Sequence, residues 1–291
     1  MAGILAEYFE KEIVSQLYKD NSFLSRLKNQ NQHLNFKTIH IPQYSNNITV
    51  VKNASITLTK DAGLATETDF SYVIDDYSMD KPLVVQSIDE LQTSYDKMSS
   101  VFSNTVKQFA EYIANEILAI LIAQGESIST IVATTGSVGV DNGSDNTADK
   151  KVLVYADLLE AKKQMDLQDV SGDNRICLLD PVMYHELISD DNVLKFINYG
   201  QNPVVPTAQV PMLAGFELMT RSNVGESSAG NSRIAFCFVG NEVIVADEKP
   251  QVYISQKDTT WLGDAVRLRQ AVGATNPRAD GKNVILIKQA D

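Results

Sequence analysis

The sequence predicts an α+β fold, and three patterns in its 291 residues indicate it. Apolar residues alternate with polar ones between Phe36 and Met79, which is the two-residue period of β-strands. A helical pattern follows, without glycine or proline between Leu83 and Gln124. The rest of the chain interleaves short helix and strand patterns without regular β-α-β alternation, which favours α+β over α/β.

The N-terminal segment, residues 4–27, has apolar residues at helical spacing and predicts a helix. The apolar stripe is interrupted at Asp20–Ser22. The segment is therefore one helix, two short helices, or an arm that becomes ordered against a neighbouring subunit, and the pattern leaves these open. A polar run, Asn29–His33, separates it from the strands that follow.

The next segment, Phe36–Met79, predicts a long β-hairpin with two alternating runs on either side of Asp61–Gly63. The apolar positions of the two runs include Ile48, Val50, Ile56 and Leu58, then Phe70, Tyr72 and Ile74. Two strands with so few large apolar residues are marginally stable alone. The hairpin is therefore either an edge of its own domain or an arm that finds its partner on another subunit, and both remain open.

The longest helical pattern predicts a rigid helix over about Asp96–Gln124, roughly 40 Å long at 1.5 Å per residue. Ser87–Glu90 has the serine and glutamate of a capping box, which predicts a short helix before it. Gly125 is expected to end the long helix. The polar, glycine-containing segment 126–149 then predicts a loop with one strand near Ile128–Ala133.

The C-terminal half predicts two helices and several short strands. Tyr155–Leu167 is amphipathic, and Asp180–Pro181 is a typical start for a helix over Val182–Ile188. Gly240–Asn241, between two apolar runs, predicts a β-hairpin. The expected strands are Arg175–Leu179, Phe216–Arg221, Arg233–Val239, Glu242–Ala246, Val252–Gln256, Ala265–Val272 and Val284–Lys288.

The composition is that of a folded, non-exported chain. Its net charge of −12, from 25 Lys+Arg against 37 Asp+Glu, argues against a protein that reads DNA sequence, because such proteins carry a basic face. The amino terminus lacks the basic start and apolar run of a secretory signal. The most apolar stretch, Ile117–Ala123, is too short to span a bilayer, so no membrane partner is expected.

No residue pattern predicts catalysis, a cofactor or a metal. Gly136 and Gly139 lack the lysine of a phosphate loop, and no serine-nucleophile motif is present. Cys177 and Cys237 lie in apolar runs, which is typical of small buried side chains rather than nucleophiles. Because the three histidines are also scattered, the chain is expected to have no catalytic, cofactor-binding or metal site and not to be an enzyme.

Two acidic pairs and one basic pair are the remaining polar features. Asp190–Asp191 is expected to cap a helix beginning at Asn192. Asp75–Asp76 lies at the end of the hairpin, where solvated charge is expected. Arg267 and Arg269 share one face of a strand by their two-residue spacing. Phosphate contact is one role for these arginines, and pairing with acidic residues across a subunit boundary is the favoured one.

The order of these elements resembles the major capsid proteins of tailed double-stranded DNA phages. Four segments carry the resemblance. Lys81–Leu91 is similar to the family's strand before its long spine helix, and Val154–Gln164 to the helix that opens its axial domain. Ile176–Leu187 is similar to the family's strand-then-helix segment, and Leu213–Ser222 to its glycine-led strand.

The resemblance implies the phage major capsid fold. Its parts would be an N-terminal arm (1–35), an extended hairpin or E-loop (36–79), a peripheral domain with the spine helix (80–149), an axial domain (150–246) and a return to the peripheral domain (247–291). The E-loop would lie over an adjacent subunit. The residues expected at subunit contacts are Ile48, Val50, Ile56, Leu58, Phe70, Tyr72, Arg267 and Arg269.

The implied function is that of a structural protein that self-assembles as hexamers and pentamers into an icosahedral or prolate head shell. Its expected partners are its own copies, a scaffolding protein and a portal, with double-stranded DNA enclosed without sequence recognition. The shell would assemble in the host bacterial cytoplasm and would form the capsid of the virion. Some relatives crosslink subunits by Lys–Asn isopeptide bonds, for which Lys52, Lys60 and Asn276 are the candidates here.

Two alternatives remain. An encapsulin-type nanocompartment shell protein has the same architecture and encloses a cargo enzyme in place of DNA. A small-molecule enzyme whose site leaves no sequence signature is the less favoured one. The acidic charge is compatible with enclosing DNA, because an acidic wall would repel the packed genome and leave it free to move, with counterions reducing the field.

Overall fold

The computed structural model describes residues 22–31, 34–35, 37–45, 52, 66–86, 97–139, 150–194, 210, 212–222, 224–225, 232–260, 262–278 and 280–290. The segment before Ser22, the capping box at Ser87–Glu90 and most of the hairpin tip lie outside these residues. The helices of the described chain include a short 3-10 helix (Ser22–Arg26), α1 (Lys97–Ile128), α2 (Tyr155–Leu167) and α3 (Pro181–Ser189).

One six-stranded sheet, called sheet I, is built around its longest strand. Its strands are β1 (Lys28–Asn29), β5 (Asp75–Ser78), β6 (Leu83–Gln86), β12 (Ile244–Asp247), β13 (Gln251–Asp258) and β14 (Gly263–Thr275). β14 pairs antiparallel with β12 and β13 on one edge and with β5 and β6 on the other. β1 extends the sheet by pairing in parallel with β12. Distant parts of the chain therefore meet on β14.

A second six-stranded sheet, called sheet II, has the strand order β7-β15-β11-β8-β10-β9. Its strands are β7 (Thr130–Ala133), β8 (Arg175–Leu179), β9 (Met212–Leu213), β10 (Phe216–Thr220), β11 (Ile234–Val239) and β15 (Val284–Lys288). The pairs β7–β15 and β8–β10 are parallel, and the others are antiparallel. The strand and helix interleaving predicted from the sequence is thus confirmed as a mixed α+β fold.

A hairpin is present in the predicted segment, with strands before and after the part that the structure does not describe, and it forms a third, separate sheet. This sheet contains β2 (Leu34–Asn35), β3 (Thr38–Ser45) and β4 (Thr66–Val73). The predicted first run, Ile48–Leu58, lies outside the described residues apart from Lys52. β3 and β4 run antiparallel from the pair Thr38–Val73 to the pair Ser45–Thr66. Eight residues of extended strand are about 27 Å long. The hairpin therefore has a root at Thr38 and Val73 and extends away from it.

The long helix α1 is confirmed, and its apolar face is the centre of the largest core. Phe102, Val106, Ile113 and Ile117 are buried at helical spacing. They belong to one cluster with apolar residues of both sheets, such as Leu286 of β15. At 32 residues, α1 is about 48 Å long. A helix that packs on two sheets fixes their relative position.

Gly125 does not end this helix, which corrects the sequence-based expectation. α1 continues one turn further, to Ile128. A Cβ atom at position 125 would lie 3.1 Å from Cδ1 of Leu286. The glycine therefore reflects the close approach of α1 to sheet II rather than a helix stop.

The opposite face of sheet II is covered by α2 and α3 in a second core cluster. Along β8, Ile176 and Leu178 face α1, whereas Cys177 and Leu179 face α2 and α3. This two-sided burial explains why the strand is apolar at every position. Both helices begin where predicted, within one residue, and Asp180 caps α3 by accepting a hydrogen bond from the Val182 amide at 2.9 Å.

The β-hairpin predicted at Gly240–Asn241 is wrong. β11 and β12 form on either side of it, but β11 pairs with β8 and β15 in sheet II, whereas β12 pairs with β1 and β14 in sheet I. The turn is real, since Asn241 has φ of +65°. It directs the chain from one sheet to the other, because each strand finds more apolar burial with distant partners than with its neighbour.

One further placement differs from the sequence interpretation. The polar run at Asn29 begins with β1, which pairs with β12, so this run does more than separate the N-terminal segment from the strands. The final strand β15 lies inside sheet II between β7 and β11. The segment 247–291 thus contributes β13 and β14 to sheet I and β15 to sheet II.

Candidate subunit-contact site

The hairpin joins the body of the subunit through a small apolar contact, which we call the hairpin root. Ile39 of β3 and Ile74, directly after β4, pack on Ala246 and Ala271 of sheet I. Ile39 and Ile74 are buried, and Tyr72 is partly buried against the same cluster. Four buried residues are a small core, so the hairpin depends on this root for its position.

Gly273 of β14 makes the close approach at the root possible. A Cβ atom there would lie 2.9 Å from Cγ2 of Ile74 and 3.2 Å from its Cα. Real side chains do not tolerate a contact of 2.9 Å without movement of the neighbour. Glycine within a long strand often marks such a site, where another backbone passes close by.

A charged cluster lies beside the apolar root. Asp76 of β5 accepts a hydrogen bond from Nε of Arg269 at 2.8 Å, and Lys37 Nζ lies 3.5 Å from the same carboxylate. Lys37 directly precedes β3, and Asp76 follows β4 after Ile74. The carboxylate therefore links both ends of the hairpin to β14. Hydrogen bonding to Arg269 lowers the pKa of Asp76 below its usual value.

Arg269 thus has an acidic partner in its own chain, and its expected contact across a subunit boundary stays a prediction. Asp76 is exposed, as expected for the acidic pair at the end of the hairpin, and it is also paired with Arg269. Arg267 is exposed on the same strand, and the alternation of burial along β14 places Leu268, between the two arginines, in the core. Of the two arginines, Arg267 has the side chain that lies open to solvent in the isolated subunit.

Phe70 and Tyr72 lie on β4, near the root. Both are partly buried. The Tyr72 hydroxyl is buried and has no hydrogen-bond partner among the described residues, and burial raises its pKa above the usual value. The next residue, Val73, is 63% exposed. Tyr72 therefore faces the root, whereas Val73 faces outward from the hairpin.

The outer part of the hairpin carries the remaining predicted contact residues. Ile48, Val50, Ile56 and Leu58 lie outside the described residues. Closer to the root, His40 Nδ1 lies 2.6 Å from Asp69 Oδ2 in an exposed cross-strand pair. Such exposed pairs contribute little to stability, so the described hairpin is held mainly by its backbone pairing and its root.

The two cysteines are buried, as predicted, and face each other across β8 and β11. Their sulfur atoms are 2.9 Å apart. Burial raises the pKa of the Cys237 thiol well above its usual value, which makes it a poor nucleophile. Among the described residues, no three His, Cys, Asp or Glu side chains come together as a metal site. No described helix is long and apolar enough to cross a membrane.

Asn276 was the candidate acceptor for a covalent crosslink. It is 4% exposed, and its amide nitrogen donates a hydrogen bond to Asn283 Oδ1 at 2.7 Å. Its backbone amide also donates to Oε1 of Gln124 on α1, at 2.8 Å. The side chain is therefore part of a buried internal network in the isolated subunit.

Sequence reasoning missed two residues at the base of the hairpin, one in the charged cluster and one at the root. Lys37 is one charge in a polar segment and has no local pattern around it. Gly273 did carry a signal, because an isolated glycine inside a strand indicates a bulge or a close backbone approach. Arg269 was recognised, but its partner, 193 positions away, was not.

Solved structures similar to this chain include phage capsids and a virus-like particle. The capsid of cyanophage P-SCSP1u aligns with a TM-score of 0.65 and 17% identity, over 90% of this chain and 85% of that chain. For the capsid of cyanophage Pam1 the TM-score is 0.66 and the identity 11%, over 93% and 92%. A virus-like particle from Pyrococcus furiosus aligns with a TM-score of 0.58 and 11% identity, over 97% and 99%. The fold is therefore that of shell-forming capsid proteins.

A family model described as phage capsid protein matches residues 67–279. The chain belongs to this phage capsid protein family. No curated protein matches it. The resemblance stated from the sequence is thus confirmed, and the chain is a structural protein that forms the shell of a virion.

Proposed function

We propose that the chain assembles as hexamers and pentamers into an icosahedral or prolate head shell that encloses a double-stranded DNA genome. The observation that carries this proposal is the hairpin, which forms its own sheet and meets the subunit body at four buried residues. An extended hairpin of this kind gains most of its burial from another chain. Repetition of one such contact around rotation axes closes a shell.

One part of the hairpin would stay packed on its own subunit, and the other part would contact the neighbouring subunit. Tyr72 packs against the root, Arg269 belongs to the charged cluster beside it, and both would set the direction of the hairpin. Phe70, together with the residues beyond Ser45, would lie on the neighbouring subunit. Arg267, exposed on sheet I, would receive a neighbour's acidic residue. The docking residues of the tip would be Ile48, Val50, Ile56 and Leu58.

The two sheets would form two different domains of the shell subunit. Sheet I and α1 would form the peripheral domain, and sheet II with α2 and α3 the axial domain at the centre of each capsomer. The strands β8, β9, β10 and β11 lie in sheet II, and β15 from the later segment joins them. α1 contacts both sheets in one core, so both domains would move as one body during assembly.

The proposed partners beyond the chain itself are a scaffolding protein, a portal and the packaged DNA, with assembly in the host cytoplasm. The net charge of −12 supports a wall that encloses DNA without holding it. A shell whose inner surface is strongly basic would contradict this part of the proposal.

Shortening the hairpin tests the proposal. Ser45 and Thr66 are directly paired, so residues 46–65 can be replaced by Asn-Gly, a two-residue turn that suits antiparallel strands. The shortened chain is expected to fold, with unchanged circular dichroism and thermal unfolding, but not to form closed shells in electron micrographs. A matched control replaces residues 46–65 with a Gly/Ser linker of equal length, which keeps the span and removes the side chains. Normal particles from both variants would overturn the proposed role of the hairpin.

A compartment shell is the second candidate, because this fold also forms a virus-like particle from Pyrococcus furiosus, which aligns over 97% of this chain. The two functions differ in what the particle contains. Particles purified from cells in which the chain is made with its neighbouring genes are expected to contain nuclease-protected DNA. A folded protein cargo in their place would favour the compartment.

A further inference from the structure

The two cysteines of the chain occupy directly opposed positions in sheet II. Cys177 of β8 pairs with Cys237 of β11 in the antiparallel register, and β8 and β11 are the two central strands of the sheet. Their sulfur atoms are 2.9 Å apart, although 60 positions separate the two residues in the sequence. The fold therefore brings together the two thiols of the chain.

The backbone at this pair is compatible with a disulfide bond. Directly opposed residues on antiparallel strands have Cα atoms about 4.5 or 5.5 Å apart, and disulfides span about 4.4–6.8 Å between Cα atoms. A disulfide joins its sulfurs at about 2.05 Å, so the two sulfurs would approach by about 0.9 Å. Both side chains already lie in the core cluster under α2 and α3, so neither has to change face.

We propose that Cys177 and Cys237 are a modification site, at which a reversible disulfide links β8 to β11 when the chain meets a disulfide oxidant such as oxidised glutathione. In a reducing cytoplasm the same pair remains two thiols. The bond closes a loop that contains α3 and β10. It stabilises the folded subunit because it restricts the unfolded chain, without any change at the subunit surface.

The reaction is an exchange in two steps. One cysteine thiolate attacks oxidised glutathione, which forms a mixed disulfide and releases one glutathione as its thiolate. The second cysteine thiolate then attacks the cysteine sulfur of that mixed disulfide, forms the Cys177–Cys237 bond and releases the second glutathione. The two cysteines lose two electrons to the glutathione disulfide, and their two protons go to the solvent.

The burial of the pair determines when this reaction takes place. Both side chains are fully buried, so the oxidant reaches a sulfur only while β8 and β11 are locally apart. Burial raises the pKa of the Cys237 thiol, which slows its reaction while the sheet is closed. Because the two sulfurs are in contact in the closed sheet, no glutathione fits between them. Closure of the sheet therefore favours the direct bond, and burial then protects it from reductants.

Strand opening and oxidation are measured together. The full-length chain, purified with dithiothreitol and then separated from it, is incubated with oxidised glutathione in urea below the unfolding midpoint. Hydrogen exchange of the β8 and β11 amides records when these strands have opened. As they exchange, the intact mass is expected to fall by two hydrogen atoms, and iodoacetamide in denaturant is expected to add no group. The oxidised chain is expected to have a Tm about 3–7 °C above that of the reduced chain.

Cys237→Ala is the matched control, because it keeps Cys177 and removes its partner. Oxidised glutathione is expected to leave the Tm of this variant unchanged. The comparison of the oxidised and reduced forms of the unmodified chain does not depend on the variant. The proposal is overturned if the unmodified chain keeps two free thiols or a stable glutathione adduct after the β8 and β11 amides have exchanged. A disulfide form with no higher Tm than the reduced form would overturn it as well.

Discussion

Arg269 of β14 binds the Asp76 carboxylate in a fork, with Nε 2.8 Å from Oδ1 and a second guanidinium nitrogen on Oδ2. Lys37, directly before β3, has its Nζ 3.5 Å from Oδ2. A single carboxylate, which follows β4 after Ile74, thus links both ends of the hairpin to the central strand of sheet I. Its charge state is expected to control how firmly the hairpin is held.

Acid is therefore expected to loosen the hairpin. The hydrogen bond from Arg269 lowers the pKa of Asp76, so the contribution of the charged form is present above the usual aspartate value of about 3.9. It is lost as pH falls through the lowered pKa. Hydrogen exchange of the β3 and β4 amides, expressed as protection factors, is expected to show lower protection below about pH 4. Asp76→Asn should show the lower protection at pH 7 already.

Asp75→Asn is the matched control, because Asp75 is the neighbouring exposed carboxylate and no ion pair joins it to Arg269. It should retain the protection of the unmodified chain at pH 7. Equal protection in Asp76→Asn and Asp75→Asn would show that the fork does not hold the hairpin.

Gly273→Ala is expected to destabilise the subunit by about 1–3 kcal/mol, the usual cost of overpacking a tight contact. The added methyl group would meet Ile74 at 2.9 Å and force the hairpin away from sheet I. Gly172→Ala is the control, since a Cβ there has no atom within 4 Å. Denaturant unfolding measures both. Equal stability of the two variants would mean that the root is loosely packed.

Tyr72→Phe is expected to leave stability unchanged or raise it by up to about 1 kcal/mol, because the buried hydroxyl it removes has no partner among the described residues.

Burial raises the pKa of Tyr72. The contribution of this raised pKa to the stability of the folded chain is complete below the usual tyrosine value of about 10 and is lost as pH rises further. The unmodified chain should therefore lose more stability above pH 10 than Tyr72→Phe does. Tyr253→Phe, which removes an exposed hydroxyl bonded to Gln251, provides the comparison. A clear loss of stability in Tyr72→Phe at pH 7 would reveal a partner for the hydroxyl.

The cysteines are expected to resist alkylation in the native protein. Burial raises the pKa of Cys237, and the side chains of both cysteines are fully buried. Iodoacetamide at pH 8 should leave intact mass unchanged, whereas in denaturant two alkyl groups should be added, one per cysteine. Rapid modification of the native chain would show that sheet II opens locally.

Elements with local signals were predicted well from the sequence. α2 has an amphipathic period, α3 has the Asp180 cap, and β8 is a short apolar run between turn residues. Each of these patterns is complete within a few residues, so no distant partner is needed to recognise it. The long hairpin was recognised for the same reason.

Features that depend on distant partners were not predictable in this way. Gly240–Asn241 indicates a turn, but whether β11 and β12 pair depends on β8, β14 and β15. Gly125 resembles a helix stop until Leu286 is placed against it. Arg269 indicates an ion pair, while its partner Asp76 is brought close only by the β5–β14 pairing.

The central claim is that this chain forms a closed shell in which each hairpin rests on a neighbouring subunit. Cryo-electron microscopy of particles formed by the full-length chain tests it most directly. Closed shells of six-fold and five-fold rings, with residues 46–65 of one subunit in contact with the next, are the predicted result. A small oligomer of fixed size, or shells in which each hairpin packs on its own subunit, would contradict the claim.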